Sequence, residues 1–144
     1  CRRLTSCLCW IEMMTVVIDA GVALAALLDD DEHTAWAREV MSEGNLAAPE
    51  LLSVEVSHLL RKSVSQGLLT AREGRDALLD LLDVVDDFYP HGPFVPRIWE
   101  LHPNVTSYDP AYVALAEALG APLATLDRKL SRAPGPRCEF LQPS

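Results

Sequence analysis

Apolar and polar positions follow two rhythms along this chain, and the switches between them mark out the elements. Thr15-Val-Val-Ile-Asp19 is a short β-branched run ending in an acid, the pattern of a strand buried in a parallel sheet. Residues 21–28 have helical composition, and Asp29-Asp-Asp31 ends that helix and is expected to cap the next. The next helix, over residues 32–43, carries Trp36, Val40 and Met41 on its apolar side and stops at Gly44-Asn45. Leu46-Ala-Ala48 predicts a short second strand. Pro49 is expected to open a helix that runs to about Gln66 and ends at Gly67. Thr70 and Glu73 have capping-box spacing, which starts a helix reaching roughly Asp87. Phe88-Tyr-Pro-His91 is expected to be a third strand, with Pro90 as the obstacle to it. A short helix over residues 96–101 follows, then a helix capped by Ser107 and ended at Gly120. Pro122-Leu-Ala-Thr-Leu126 predicts a strand running into Asp127, and residues 137–141 a last edge strand after the Pro134-Gly-Pro136 turn.

Strands alternating with helices, without repeats or low-complexity tracts, imply an α/β fold with a mainly parallel sheet and helices on both faces. At 144 residues the chain suits one domain, expected over residues 14–144. Its 49% hydrophobic and 23% charged content is ordinary globular composition. Residues 1–13 imitate a short signal peptide, with Arg2 and Arg3 before LTSCLCWI, but Glu12 interrupts the apolar run and no small-residue cleavage site follows. They are expected to be a disordered extension, with translation starting at Met13 or Met14. The apolar stretch over residues 16–28 is too short to span a bilayer, so no membrane association is expected. Cys1, Cys7, Cys9 and Cys138 form no CxxC pair and the histidines are scattered, which points to unpaired thiols in a reducing cytoplasm rather than to zinc. A net charge of −9 argues against a broad basic surface for nucleic acid. It leaves open a carboxylate cluster whose charge a cation offsets.

Three acids sit where a solvated surface is a strained explanation. Asp19 closes the most apolar strand, and Asp127 follows Leu123-Ala-Thr-Leu126 in the same way. In parallel α/β sheets, sites form beyond the carboxyl ends of strands, yet an Asp there also commonly caps the following helix. Glu55 is sharper. At ~100° per residue, Leu51, Leu52, Glu55, Val56, Leu59 and Leu60 share one stripe, whereas Glu50 projects from the other side. A carboxylate on an inner face needs a metal or an ion pair, for which Arg61 and Lys62 are alternatives. Asp109 opens a helix just before Pro110, where it also suits the helix dipole. Together the four acids are expected to converge on a pocket holding Mg²⁺ or Mn²⁺. Trp36, Trp99 and Phe88 read as core residues, and Asp83, Asp86 and Asp87 as solvated faces. No nucleotide-binding glycine loop is present.

TVVIDAGVALAALL, APELLSVEVSHLLRK and TSYDPAYVALAEALGAPLATLDRKL, in that order, resemble the three signature blocks of the PIN-domain toxins called VapC. The resemblance covers essentially Met14 to the C-terminus, and its last block is the most specific. It implies an α/β/α sandwich, metal-dependent endoribonuclease activity leaving 5′-phosphate and 3′-hydroxyl ends, a homodimer, and a small antitoxin partner. Asp19, Glu55, Asp109 and Asp127 match the family's catalytic and metal-binding acids, and Thr125 a supporting polar position. Two positions depart from the pattern: Gly21 stands where Ser or Thr is common, and His58 where many relatives have Asn. RNA would be gripped by local basic groups, with Arg128 and Lys129 first and Arg61, Lys62, Arg97 and Arg132 as further candidates. Three competing readings are an inactive antitoxin-binding module, a housekeeping RNA-processing nuclease, and a phospho-accepting receiver domain. The last has no use for Glu55.

Overall fold

The β-branched run forms strand β1, Thr15–Ile18, whose last three residues are buried. Its carboxyl end turns into helix α1 (Ala20–Leu27), followed by α2 (Thr34–Ser42) and strand β2 (Asn45–Pro49). Next come α3 (Leu51–Ser65), α4 (Ala71–Val84), β3 (Asp87–Tyr89) and a 3₁₀ turn, Gly92–Phe94. The chain ends with α5 (Val95–Leu101), α6 (Asp109–Leu119), β4 (Leu123–Ala124), α7 (Arg128–Arg132) and β5 (Phe140–Leu141). The computed structural model describes residues 14–29, 32–106 and 108–144. The expectations for residues 1–13 and for capping by Asp30, Asp31 and Ser107 therefore lie outside the described residues.

The sheet runs β3-β2-β1-β4-β5 with every pair parallel. Connections between parallel neighbours are right-handed, so the direction of stepping decides which face each helix covers. From β1 the chain steps outward to β2 and β3, then returns to β4 and β5 on the other side of β1. This reversal separates α1 to α4, which pack on one another with α3 against β2, from α6, which packs on β1, β2 and β4. The result is the expected α/β/α sandwich with an all-parallel sheet. Its core joins Val17, Ile18, Leu46 and Leu123 of the sheet to Val22, Leu52, Val56, Leu81, Tyr112 and Leu115 of the helices. Each fully buried aliphatic side chain contributes about 1.5–3 kcal/mol of transfer free energy.

Several boundaries differ from expectation for physical reasons. Pro49 does not open α3; it ends β2 opposite Tyr89, and the Glu50 N–H donates to the Tyr89 carbonyl. The capping box at Thr70 and Glu73 forms in both directions. Helix α4 stops at Val84 because Asp86 is drawn into the sheet: its N–H donates to the Leu46 carbonyl, and its carboxylate accepts from the Leu46 N–H at 2.7 Å. Asp86 and Asp87, which accepts from Asn45 Nδ2, thus fasten β2 rather than merely facing solvent. Helix α2 begins at Thr34 with no side-chain cap, and Asp29 pairs with Arg38 instead. Trp36 and Phe88 pack against the core, but Trp99 is 71% exposed and stacks on His102. Among the described residues no helix is long and apolar enough to cross a membrane.

Candidate active site

The stepping direction reverses at β1 and β4, and the crevice beyond the carboxyl ends of such strands is where open α/β sheets bind ligands. Ile18 pairs with Ala124 and the Asp19 N–H donates to the Ala124 carbonyl, so Asp19 emerges beside Thr125. Thr125 is fully buried. Its hydroxyl accepts from the Asp127 N–H at 3.0 Å and lies near enough to the Asp19 carboxylate to favour its charged form. The two strand-end acids thus flank one buried hydroxyl. Asp19 caps α1 through Oδ1, which accepts from the Val22 N–H at 2.9 Å. Asp127 caps α7 in the same manner, its Oδ1 accepting from the Lys129 and Leu130 N–H groups.

The other two acids come from helices on opposite faces of the sheet. On α3, Leu52, Val56 and Leu60 are buried, while Leu51, Glu55 and Leu59 form the half-buried flank of the stripe. The partner of Glu55 is not Arg61 or Lys62 but Tyr112 of α6, whose hydroxyl donates to Oε1 at 2.7 Å. Asp109 occupies the first turn of α6 and is half-buried. Tyr112 lies three positions later, on the same helical face. That spacing is the signal in the sequence that points to it.

Electrostatics tie the four together. Burial pushes the Asp19 carboxyl up, against the hydrogen bonds from Thr125 and Val22, and the charge of Asp127 raises it further. Burial also raises Glu55, against its bond from Tyr112, with Asp19 adding to the rise. Asp109 is pushed up to about 6 by burial and by the charges of Asp19, Asp127 and Glu55. Mutual repulsion of this kind requires proximity. Among the described residues the ion pairs lie elsewhere, joining His33 to Glu32, Arg38 to Asp29, Arg75 to Asp76, and Arg97 to Glu100 and Glu117. An all-oxygen, uncompensated set of carboxylates fits a hard divalent cation.

The acids also border the surface clefts at this end of the sheet. Asp109 and Asp127 line a small pocket with Asn104, Thr106 and Lys129, whereas Glu55 lines a second one with Val54, His58 and Tyr108. Among the described residues no three His, Cys, Asp or Glu side chains are already arranged to hold a metal. Asp19 and Asp127 each spend one oxygen on a helix cap. Of the basic candidates, Arg128 and Lys129 are exposed directly beside Asp127. Arg97 is not available: it forms a two-bonded pair with Glu117 and also reaches Glu100 and the Gly135 carbonyl. A Cβ at Gly21 would stand 3.5 Å from Asp19 Oδ1, an ordinary contact.

The PIN domain family profile matches residues 16–136. Ribonuclease VapC1 of Mycobacterium tuberculosis is 40% identical over 125 residues, covering 86% of this chain and 94% of that protein. Ribonuclease VapC3 of Pyrobaculum aerophilum is 35% identical over 124 residues, covering 82% and 93%. Among solved structures, VapBC2 from Rickettsia felis, bound to a fragment of its promoter DNA, superposes with a TM-score of 0.69 at 13% identity over 91% of this chain and 100% of that one. VapC20 of Mycobacterium tuberculosis, a toxin that cleaves the sarcin-ricin loop, gives 0.66 at 15% identity over 81% and 93%. The fold matches theirs, and the sequence match carries the assignment: this chain belongs to the PIN-domain family and, within it, to the VapC ribonucleases.

Proposed function

We propose that this chain is a metal-dependent endoribonuclease acting as the toxin of a toxin–antitoxin pair, with Asp19, Glu55, Asp109 and Asp127 as its active site. The observation that carries the reading is the placement of Asp19 and Asp127 beyond the strand ends at the reversal point of the sheet, with Asp109 close enough to feel the charges of Asp19, Asp127 and Glu55. The four acids would hold Mg²⁺ or Mn²⁺, which supplies the positive charge that offsets the scissile phosphate and eases deprotonation of water. Thr125 holds the backbone of Asp127 through its bond from the Asp127 N–H, and its hydroxyl beside Asp19 favours the charged carboxylate. Arg128 and Lys129, exposed beside Asp127, meet the phosphates flanking the cut. In-line displacement of the 3′ oxygen by water leaves 5′-phosphate and 3′-hydroxyl ends. A cognate antitoxin and a second copy of the chain are the partners this reading implies.

The test is incubation of total RNA with the purified chain in Mg²⁺, Mn²⁺ or EDTA, beside an Asp109→Asn control. The expected outcome is discrete fragments that require a divalent cation and disappear in the variant. Intact RNA from a folded chain that also fails to bind Mn²⁺ would overturn the proposal.

A further inference from the structure

Glu55 stands on a helix flank with three rotatable side-chain bonds, so something must fix where its carboxylate points. Among the described residues, no cation pairs with it. The group that does engage it is the hydroxyl of Tyr112, whose side chain is 1% exposed and belongs to a helix on the opposite face of the sheet. Filling that space needs only the ring, which a phenylalanine also supplies. The hydroxyl is the added element, and a buried hydroxyl without a partner is unfavourable. Its bond is short, 2.7 Å, as expected when a hydroxyl donates to a charged oxygen. It takes Oε1 and leaves Oε2 unclaimed by that bond. Tyr112 also follows Asp109 by three positions on α6, so one helix both carries one acid and aims another carried by α3.

From this arrangement we propose that Tyr112 is a positioning residue: it holds Glu55 by Oε1 so that Oε2 is presented to the cation shared with Asp19, Asp109 and Asp127. The proposal rests on the reading of the four acids as a divalent-cation site. Partners that orient a ligand are worth roughly 10–100-fold in metal affinity. The rival account is that the hydroxyl only joins α6 to α3.

The two accounts separate in a double-mutant cycle on the full chain, with Mn²⁺ alone as the probe in calorimetric titration. Tyr112→Phe is expected to weaken Mn²⁺ binding by about 10-fold or more, while the melting temperature in EDTA stays near that of the parent. Glu55→Gln is expected to weaken binding too, and adding Tyr112→Phe to it should change nothing further, because the hydroxyl acts through Glu55. RNA cleavage should fall in step with the affinity. Unchanged Mn²⁺ affinity in Tyr112→Phe overturns the proposal, and so does a full further loss in the double variant. Unfolding of Tyr112→Phe, seen by circular dichroism, would show that the hydroxyl serves the fold, and also overturns it. If the parent chain neither binds Mn²⁺ nor cleaves RNA, the cation-site reading falls and takes this one with it; if the parent does both and Tyr112→Phe is neutral, only this one falls.

Discussion

Asp19 and Asp127 each accept capping bonds through Oδ1, so helix capping and chemistry are not rival roles for these residues. A carboxylate has two oxygens, and a cap orients the second. Asp109 has no such duty, and burial with the charges of Asp19, Asp127 and Glu55 pushes its carboxyl up to about 6. The sign follows from linkage. Its folded value lies above the ordinary 3.8, so the folded state binds more protons between the two, and stability falls as pH rises from about 4 through about 6. Asp109→Asn should therefore abolish cleavage yet stabilise the metal-free chain at pH 7. Half-exposed, the site is screened, and the gain should be on the order of 1 kcal/mol, or about 3 °C in melting temperature. Melting curves at pH 5 and pH 7 in EDTA check this: the difference between variant and parent should shrink at the lower pH. Gly21→Ser is expected to go the other way in function. The space beside Asp19 Oδ1 admits the side chain, and Ser in the first turn of α1 should not weaken the helix. Cleavage at or above the parent rate is expected, and a loss in a kinetic assay would contradict it.

At the scale of elements, the sheet and the helix order were legible because β-branched runs and capping residues act locally. The boundaries that moved are those set by partners distant in sequence: Pro49 answers to Tyr89, and Asp86 to Leu46. The four acids were legible from their apolar surroundings and from the resemblance, but the partner of Glu55, 57 residues away, was not. The partners that take Arg97 away from the RNA-gripping role expected of it are likewise distant in sequence. Its guanidinium joins α5 to Glu117 of α6 and to the turn at Gly135, while Glu117 also accepts the Arg137 N–H at 2.7 Å. Burial would raise Glu117, but the Arg97 bond, the Arg137 N–H and both guanidinium charges outweigh it and hold the carboxyl below its ordinary 4.5. Stability from this clamp is present above that value and is lost as pH falls through the folded one. Arg97→Ala should cost about 2 kcal/mol at pH 7, since it strands a mostly buried carboxylate. Urea unfolding across a pH series from 7 downward tests it: the deficit should shrink as pH falls through the folded value of Glu117 and the carboxyl takes up its proton.

For the whole molecule, the net charge of −9 sets the terms on which it meets RNA. A polyanion approaching an acidic protein gains little from long-range attraction, so encounter must rely on short-range groups and on the cation within the carboxylate cluster. Affinity for RNA should then fall only shallowly with salt, because few phosphates are neutralised. For single strands the slope of log K against log salt is about −0.7 per phosphate contacted. If Arg128 and Lys129 each meet one phosphate, their replacement by alanine should flatten that slope by about 1.4. Those two residues stand beside Asp127 without contributing carboxylates, so Mn²⁺ binding in the absence of RNA should be unchanged. The check is RNA binding of the Asp109→Asn chain, with and without both alanines, across a series of salt concentrations. A flattened slope with intact metal binding assigns the pair to the phosphate backbone. An unchanged slope would move the RNA path to another face, and the groove holding Arg61 and Arg75 between α3 and α4 would be the next surface to test.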